Sequence, residues 1–399
     1  MVPSVMTSIL ADEAFVLSVD ARKDMLAGVS AVCLLGKVLG GLITDAVGGW
    51  TLLVAVFICF TASSFVLTTT TSVATFGAMW WLNSLAYTVT WGAACQIIGA
   101  SYEVSERPAQ LTRIASASRF GASLGSMFFG RLLKAGLHWR QALMPTGIVQ
   151  ALLAVLCTLT LFARRGAGKE SGTAAQIDAS KAAPPPPSRS AAWAHVATID
   201  FWLMFIPKIV IFTYTQFFMN FLAPYLHSSF GYSHGDATTL AGLCSGGSVI
   251  GLLVIGDRVY KKMSLDRQAA LVFFLVLVCL LISALLAFSA ALPFDISPLA
   301  VPLLFVWGLA YALPFYLPPG EFALRIGGKT AAALFTNLFD AGGFTVSFFW
   351  NRWATKSSKD GDFAAVLQTL SLFALISLGM PWCMYRQYRS AEAAAKKAA

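Results

Sequence analysis

Apolar residues come along most of this chain in unbroken runs, neither alternating residue by residue as in a half-buried strand nor confined to one stripe as in a surface helix. A hydrocarbon core of ~30 Å takes about 20 helical residues to cross, and runs near that length recur between short polar breaks. The pattern predicts spans at Met25–Thr44, Thr51–Thr70, Val73–Ala100, Ile114–Leu133, Ala142–Phe162, Trp202–Tyr225, Thr239–Gly256, Ala269–Ala287, Leu299–Leu317, Thr330–Trp350 and Ala364–Met384. A transmembrane barrel is excluded, because its strands alternate and only a helix satisfies its own backbone within so long an apolar segment. The expected fold class is an all-α polytopic membrane protein.

The polar breaks divide these spans. Residues 164–198 carry Pro184 to Pro187 among Ser, Ala and Gly, the composition of an extended tether with no core of its own. On this reading the chain comprises an N-terminal membrane half (1–163), a linker (164–198), a C-terminal half (199–386) and a basic tail (387–399). The halves echo one another. Phe15-Val16-Leu17-Ser18 before Leu26-Ala27-Gly28 parallels Phe230-Gly231-Tyr232-Ser233 before Leu240-Ala241-Gly242, and Ser126-Met127-Phe128-Phe129-Gly130-Arg131 parallels Ser347-Phe348-Phe349-Trp350-Asn351-Arg352. Duplicated six-helix halves point toward transport. The first half is one helix short, since only Val2 to Leu10 precede Asp12-Glu13, so the expectation is about 11 full spans plus a stub, with Met1 internal to a longer product or, as the rival reading, a genuine eleven-helix protein with a stub.

Composition agrees with a lipid solvent: 57% of the residues are hydrophobic and 12% charged. The net charge of +9 does not indicate nucleic acid, because Lys and Arg are spread over interhelical loops. Arg164, Arg165, Lys169, Lys181 and Arg189 lie in the linker, Arg258, Lys261, Lys262 and Arg267 follow one span, and Arg386, Arg389, Lys396 and Lys397 end the chain. The positive-inside rule places these segments, the C-terminus included, in the cytoplasm, although Lys134, Arg140, Arg352, Lys356 and Lys359 run against it. The seven cysteines fall in or at the ends of spans, without metal-ligand spacing, and are expected to be free thiols. The four histidines lie in loops or linker, and neither a phosphate-cradling loop nor a nucleophile elbow is present. No enzymatic chemistry, metal or cofactor is expected. The expected partners are a small-molecule substrate, a coupling ion (a proton or an exchanged anion) and the bilayer, for a monomer in a multi-pass topology.

One stretch is more specific. From Gly36 to Trp50 an apolar helix runs into Gly41-x-x-x-Asp45-x-x-Gly48 and a second apolar helix begins at once. Gly41-Leu42-Ile43-Thr44-Asp45-Ala46-Val47-Gly48 resembles the loop motif between the second and third helices of the major facilitator superfamily, and Asp257-Arg258 resembles its weaker copy after the eighth. The resemblance covers essentially the whole chain and implies a bundle of two pseudo-symmetric six-helix halves working by alternating access. Ala46 replaces the motif's common Arg, and Gly49-Trp50 replace its terminal basic pair. Within the superfamily, Lys37-x-x-x-Gly41-x-x-x-Asp45 and the Trp91 region resemble the organophosphate:phosphate antiporters, with a looser match from Glu321 to Asn337. Counting back from Pro224, the position of those antiporters' phosphate-binding arginine holds Gln216.

A charge inside a span costs roughly 2.5–3.5 kcal/mol on insertion scales and therefore needs a partner or a cavity. Lys37 lies eight residues before Asp45, ~12 Å from that end at 1.5 Å per residue, and Asp340 lies at a similar depth in the eleventh helix. In the resembled fold those two helices meet where the halves touch, so Lys37 and Asp340 are expected to pair across the seam, breaking and remaking as the halves rock, with Asp340 able to take a proton. A static pair or a snorkelling Lys is the plainer reading. Arg119, aligned with Asp340 by the internal echo, either holds an anion or reaches water, and Lys208 is expected to snorkel. Asn83, Tyr87 and Trp91 recur every four residues, as do Trp307, Tyr311 and Phe315, and Thr213, Gln216 and Asn220 form a polar stripe. These are candidate cavity walls, with interhelical packing as the plain alternative. Gly41, Asp45 and Gly48, with Asp257 and Arg258, are the candidate gating residues. The function expected is secondary transport of a small organic anion. A sensor or partner subunit that keeps the fold without transporting is the alternative.

Overall fold

A computed structural model describes residues 2–102, 107–167 and 194–398; most of the linker, residues 168–193, lies outside it. A 3-10 turn at Val2–Val5 enters α1 (Met6–Leu10), and there follow α2 (Val19–Val47), α3 (Gly49–Thr69), α4 (Val73–Ser101), α5 (Arg107–Lys134) and α6 (Trp139–Ala167). After the linker come α7 (Ile199–Phe230), α8 (His234–Lys262), α9 (Leu265–Ala287), α10 (Ser297–Ser357), α11 (Ala364–Ser377) and α12 (Gly379–Ala398). Hydroxyl caps start several of them: Ser18 accepts from Ala21 N, Ser72 from Thr75 N, Thr198 from Phe201 N and Ser233 from Asp236 N. Gly48, at φ +83°, joins α2 to α3 in a backbone conformation that favours glycine.

Among the described residues, seven segments are long and apolar enough to cross a membrane: Gly49–Thr69, Trp139–Ala163, Ile199–Phe230, His234–Lys262, Leu265–Ala287, Ser297–Ala323 and Ala364–Ser390. The protein is an integral multi-pass α-helical membrane protein. α2, α4 and α5, of 29, 29 and 28 residues, run beside these segments. Lipid-facing surface is plain on α6, where Ile148, Val149, Leu152, Val155, Leu156, Leu159 and Phe162 are all exposed. Two expected spans merge in α10, whose helical backbone continues for 61 residues. It cannot be straight, because the Phe322 and Phe339 rings are 6.3 Å apart and 17 residues of straight helix would separate them by ~25 Å. The helix therefore doubles back into two arms, the first Ser297–Ala323 and the second ending at Ser357.

Short contacts tie the stub to the bundle. Val2, Val5, Met6 and Ile9 are fully buried, Ser4 Oγ lies 2.9 Å from Ser126 Oγ, and Asp12 accepts a 2.7 Å hydrogen bond from Trp139 Nε1. Burial opposes ionisation of Asp12, but the Trp139 and Ala14 hydrogen bonds and the nearby His138 and Arg140 hold its carboxyl below the usual carboxylate value.

The helices before residue 168 meet those after residue 193 along two seams, besides the contacts of the stub. In the first, α5 and α8 approach backbone to backbone: Ser123 Oγ donates to Gly242 O at 2.7 Å, and a Cβ added to Gly242 would lie 2.8 Å from Met127 N and 2.9 Å from Ser123 O. A Cβ on Gly235 would lie 2.6 Å from Lys134 N. Lys134 and Asp236 close the end of this seam at 2.7 Å. Toward the other end the helices part, since a Cβ on Gly121 would meet nothing within 4 Å. The end of the bundle where α6 stops and α7 starts is termed the linker face, and the opposite end the far face. The α5–α8 seam is closed on the far face and opens toward the linker face.

Because backbone atoms, not flexible side-chain ends, stand where the new methyl would go, Gly242→Ala must push α5 off α8. The expected result is a loss of about 1–3 kcal/mol, seen as a lower melting midpoint of the purified protein. An unchanged midpoint would mean that the seam is loosely packed.

Candidate functional site

The second seam, between α2 and the second arm of α10, is built of polar rungs. Starting at the far face, Asp24 pairs with Arg352 at 2.9 Å. Next, Asn351 Nδ2 donates to Ser30 Oγ at 3.2 Å and lies 3.4 Å from Gln216 Oε1, which also accepts from Asn220 at 2.9 Å. The third rung is Lys37 and Asp340, with Nζ 3.0 Å from Oδ2. Among the described residues the rungs stop at Lys37 and Asp340, and Tyr87 of α4, within electrostatic reach of Arg119, is 53% exposed, so a cleft lies on the linker side of this rung.

Lys208 joins the third rung from α7. Its Nζ is 3.9 Å from Asp340 Oδ1, donates to Phe315 O at 3.0 Å and sits 3.3 Å from the centre of the Phe315 ring. With only 5% of its surface exposed, Lys208 does not snorkel. Pro207 precedes it inside the helix, and the Phe315 carbonyl and ring together hold the ammonium inward. Arg119 approaches from α5, its guanidinium 5.0 Å from the Tyr316 ring and within electrostatic reach of Tyr87, Tyr311 and Asp340. Lys37, Lys208 and Arg119 against Asp340 leave a formal excess of two positive charges at the top of the cleft.

The other candidate residues divide by what they touch. Tyr87 and Trp91 are exposed, whereas Asn83 donates to Ser63 Oγ on α3 at 2.9 Å, so the α4 stripe splits between cleft and packing. Trp307 is fully buried against Tyr214, Phe217 and Phe218, and Tyr311 packs on Tyr214 and Phe218 while its charge environment includes Arg119. Gln216 and Asn220 are buried in the second rung beside a π-helical turn at Phe217–Phe221, a local widening that is frequent at functional sites. Asp257 pairs with Lys261 at 2.6 Å at the linker face, where Arg258 is exposed.

Gly41 and Asp45 belong to the helical backbone of α2, but their side-chain surroundings lie outside the described residues, as do those of Gly327 to Ala333. Around that turn Gln96 of α4 accepts from Gly49 N and donates to Thr44 O at 3.3 Å, bracing the α2–α3 corner. Neither Gln96 nor Asn351 was singled out from the sequence, where a lone amide in a helix carries no signal until its partners are seen.

The family model described as Major Facilitator Superfamily matches residues 1–344. Among solved structures, the nucleoside transporter NupG superposes with a TM-score of 0.65 at 15% identity, covering 96% of this chain and 94% of that one. A D-xylose-proton symporter gives 0.64 at 14% identity with 96% of each chain covered. A bacterial homolog of the human lysosomal transporter Spinster, in an inward-facing and occupied conformation, gives 0.59 at 13% identity with 97% and 93% covered. No curated protein matches the sequence.

Asp340 is the one carboxylate among the described groups of the third rung, and removing it sets two ammonium groups against each other. Asp340→Ala is therefore expected to cost about 3–5 kcal/mol, the range for breaking a buried pair on one side. Lys208→Met, which leaves Lys37 to balance Asp340, is expected to cost far less. Melting midpoints of the two variants at equal detergent and salt check this. Equal effects would show that Lys208 and Asp340 are not electrostatically coupled.

Proposed function

We propose that this chain, which belongs to the major facilitator superfamily, is a secondary transporter that carries a small organic anion by alternating access. The observation behind the substrate class is the excess of positive charge where the cleft is deepest. In a site screened from water, an anion regains there the partners it loses on leaving solvent. Lys37, Lys208 and Arg119 would receive the anionic group, while Tyr87 and Trp91 would contact the rest of the solute. Asp340 would act as the internal competitor, holding Lys37 and Lys208 when the site is empty and releasing them to the substrate or on taking a proton.

The rocking units would be the two membrane halves, 1–163 and 199–386, joined by the linker. The α2–α3 turn at Gly41, Asp45 and Gly48 and its counterpart at Asp257 and Arg258 would act as hinges on the linker face. The positive-inside rule makes that face cytoplasmic. A phosphorylated metabolite is the finer reading, supported by the Lys37-x-x-x-Gly41-x-x-x-Asp45 pattern. With Gln216 at the arginine position of the organophosphate:phosphate antiporters, the phosphate charge would fall to Lys37, Lys208 and Arg119.

Uptake and counterflow in proteoliposomes test this, using phosphorylated sugars, inorganic phosphate, carboxylates, neutral sugars and nucleosides, with and without an imposed pH gradient. The expected result is saturable uptake of one anion class, reduced at least tenfold in Lys37→Ala. Asp340→Asn is expected to lose the response to the pH gradient or to counter-substrate. Uptake confined to neutral solutes would overturn the anion reading. Absence of all transport by folded protein would favour a non-transporting sensor or subunit.

A further inference from the structure

A second positive site lies away from the cleft. On the far face a cavity of about 240 Å³ is lined by residues of both halves, among them Thr7, Arg22, His227, His234, Ser358 and Lys359. Only about 10–15 Å³ on this measure is needed to hold one water, so there is room for a multi-atom anion with solvent. Arg22 is 8% exposed, and its Nε and Nη2 are buried without a hydrogen-bond partner among the described residues. Its guanidinium carbon lies 5.4 Å from the centre of the Phe221 ring, a cation–π contact. The Thr7 hydroxyl and His234 Nδ1 are likewise buried and unpaired.

Burying a guanidinium costs several kcal/mol, and the Phe221 ring offsets only part of that for Nε and Nη2. The neighbouring carboxylates are engaged elsewhere: Asp20 with Lys23 at 2.5 Å, Asp24 with Arg352 at 2.9 Å, and Asp12 with Trp139 at 2.7 Å. Among the described residues no carboxylate lines the cavity, and Lys359 adds a second cation to its wall, 3.9 Å from the exposed Asp360. The His227 ring, 4.2 Å from that of His234, spends its Nδ1 on the Tyr232 carbonyl at 2.7 Å, which leaves Nε2 as its other ring nitrogen.

We infer that this vestibule binds a small inorganic anion, held by Arg22 with the Thr7 hydroxyl and the His234 ring. The site is independent of the third rung, because Arg22 and Lys37 are ~22 Å apart along α2 at 1.5 Å per residue. Its walls come from α1 and α2 on one side and from the ends of α7, α8 and α10 on the other. A bound anion therefore bridges the halves and favours the arrangement in which the far face is closed. By linkage, opening that face weakens the anion's binding by the same factor.

The test is equilibrium binding of radiolabelled inorganic phosphate and of chloride to purified full-length protein at fixed ionic strength, together with the melting midpoint. Wild type is expected to bind at least one of these ions saturably and to melt higher with it. Arg22→Gln is expected to lose that binding by at least tenfold, while Lys37→Ala keeps the component that Arg22→Gln loses. If Arg22→Gln does not fold, Arg22→Lys and Thr7→Val serve, each expected to weaken the same component severalfold. Absence of saturable binding of either ion overturns the site. So does binding lost in Lys37→Ala but intact in the Arg22 and Thr7 variants, or an Arg22→Gln protein that melts higher than wild type and binds as well.

Discussion

A carboxylate and two ammonium groups share one low-dielectric seam, and the geometry of the protein around the cleft follows from their need for one another. At an effective dielectric of ~20, unit charges 3.0 Å apart, as Lys37 and Asp340 are, attract by roughly 5 kcal/mol before desolvation is counted. The groups come from α2, α7 and the second arm of α10, so their attraction fixes the depth register of three helices from both halves. One carboxylate cannot fully satisfy two ammonium groups, and Lys208 takes a carbonyl and an aromatic face to make up the difference. That shortfall gives an incoming anion something to gain. A balanced pair would offer it only the cost of separating the pair.

The rest of the inter-half contact is of a kind that can be parted. Along α5 and α8 it consists of glycine backbone, small side chains and a serine hydroxyl, and along α2 and α10 of amides and ion pairs. The large aromatic packing of Trp307, Tyr214, Phe217 and Phe218 lies inside the C-terminal half. Separating small and polar surfaces exposes little apolar area, whereas separating the aromatic cluster would forfeit a hydrophobic contribution of about 25 cal/mol per Å². On the proposed reading the seams could open at little apolar cost, except where the stub residues Val2, Val5, Met6 and Ile9 share a buried cluster with Phe217, Phe221 and Leu222.

The seven segments long and apolar enough to span are legible because lipid removes the constraint that breaks up apolar sequence in soluble proteins, and the pairing of Lys37 with Asp340 is legible because a charge inside an apolar run must find a partner at its own depth. Lys208 was not legible in the same way, since a lysine near a helix end can reach water or turn inward and only Phe315 and Asp340 decide which. Arg22 was hidden for a different reason: in Asp20-Ala21-Arg22-Lys23-Asp24 it reads as one charge of a solvated helix start, yet the helix turns it under the far-face loops. Gln216 and Asn220 stand out in the sequence as polar positions on one helix face, but their partners, Ser30 and Asn351, lie on two other helices.

On the proposed reading, the arrangement along α2 also explains why the cleft would not simply leak anions. Arg22 marks one end and Lys37 the middle, and between them lies the neutral rung of Ser30, Asn351, Gln216 and Asn220. These amides and the hydroxyl are spent on one another, apart from Asn351 Oδ1, which is buried without a partner. An anion crossing this level would leave guanidinium and ammonium partners for a zone with no charge to receive it, at a desolvation cost of several kcal/mol. The barrier falls only if the rung is pulled apart, and since Ser30 and Asn351 belong to opposite halves, that requires the far face to open. Opening it widens the passage beside Arg22 and removes the amide barrier in the same motion, so anion access from that side is tied to the conformational change.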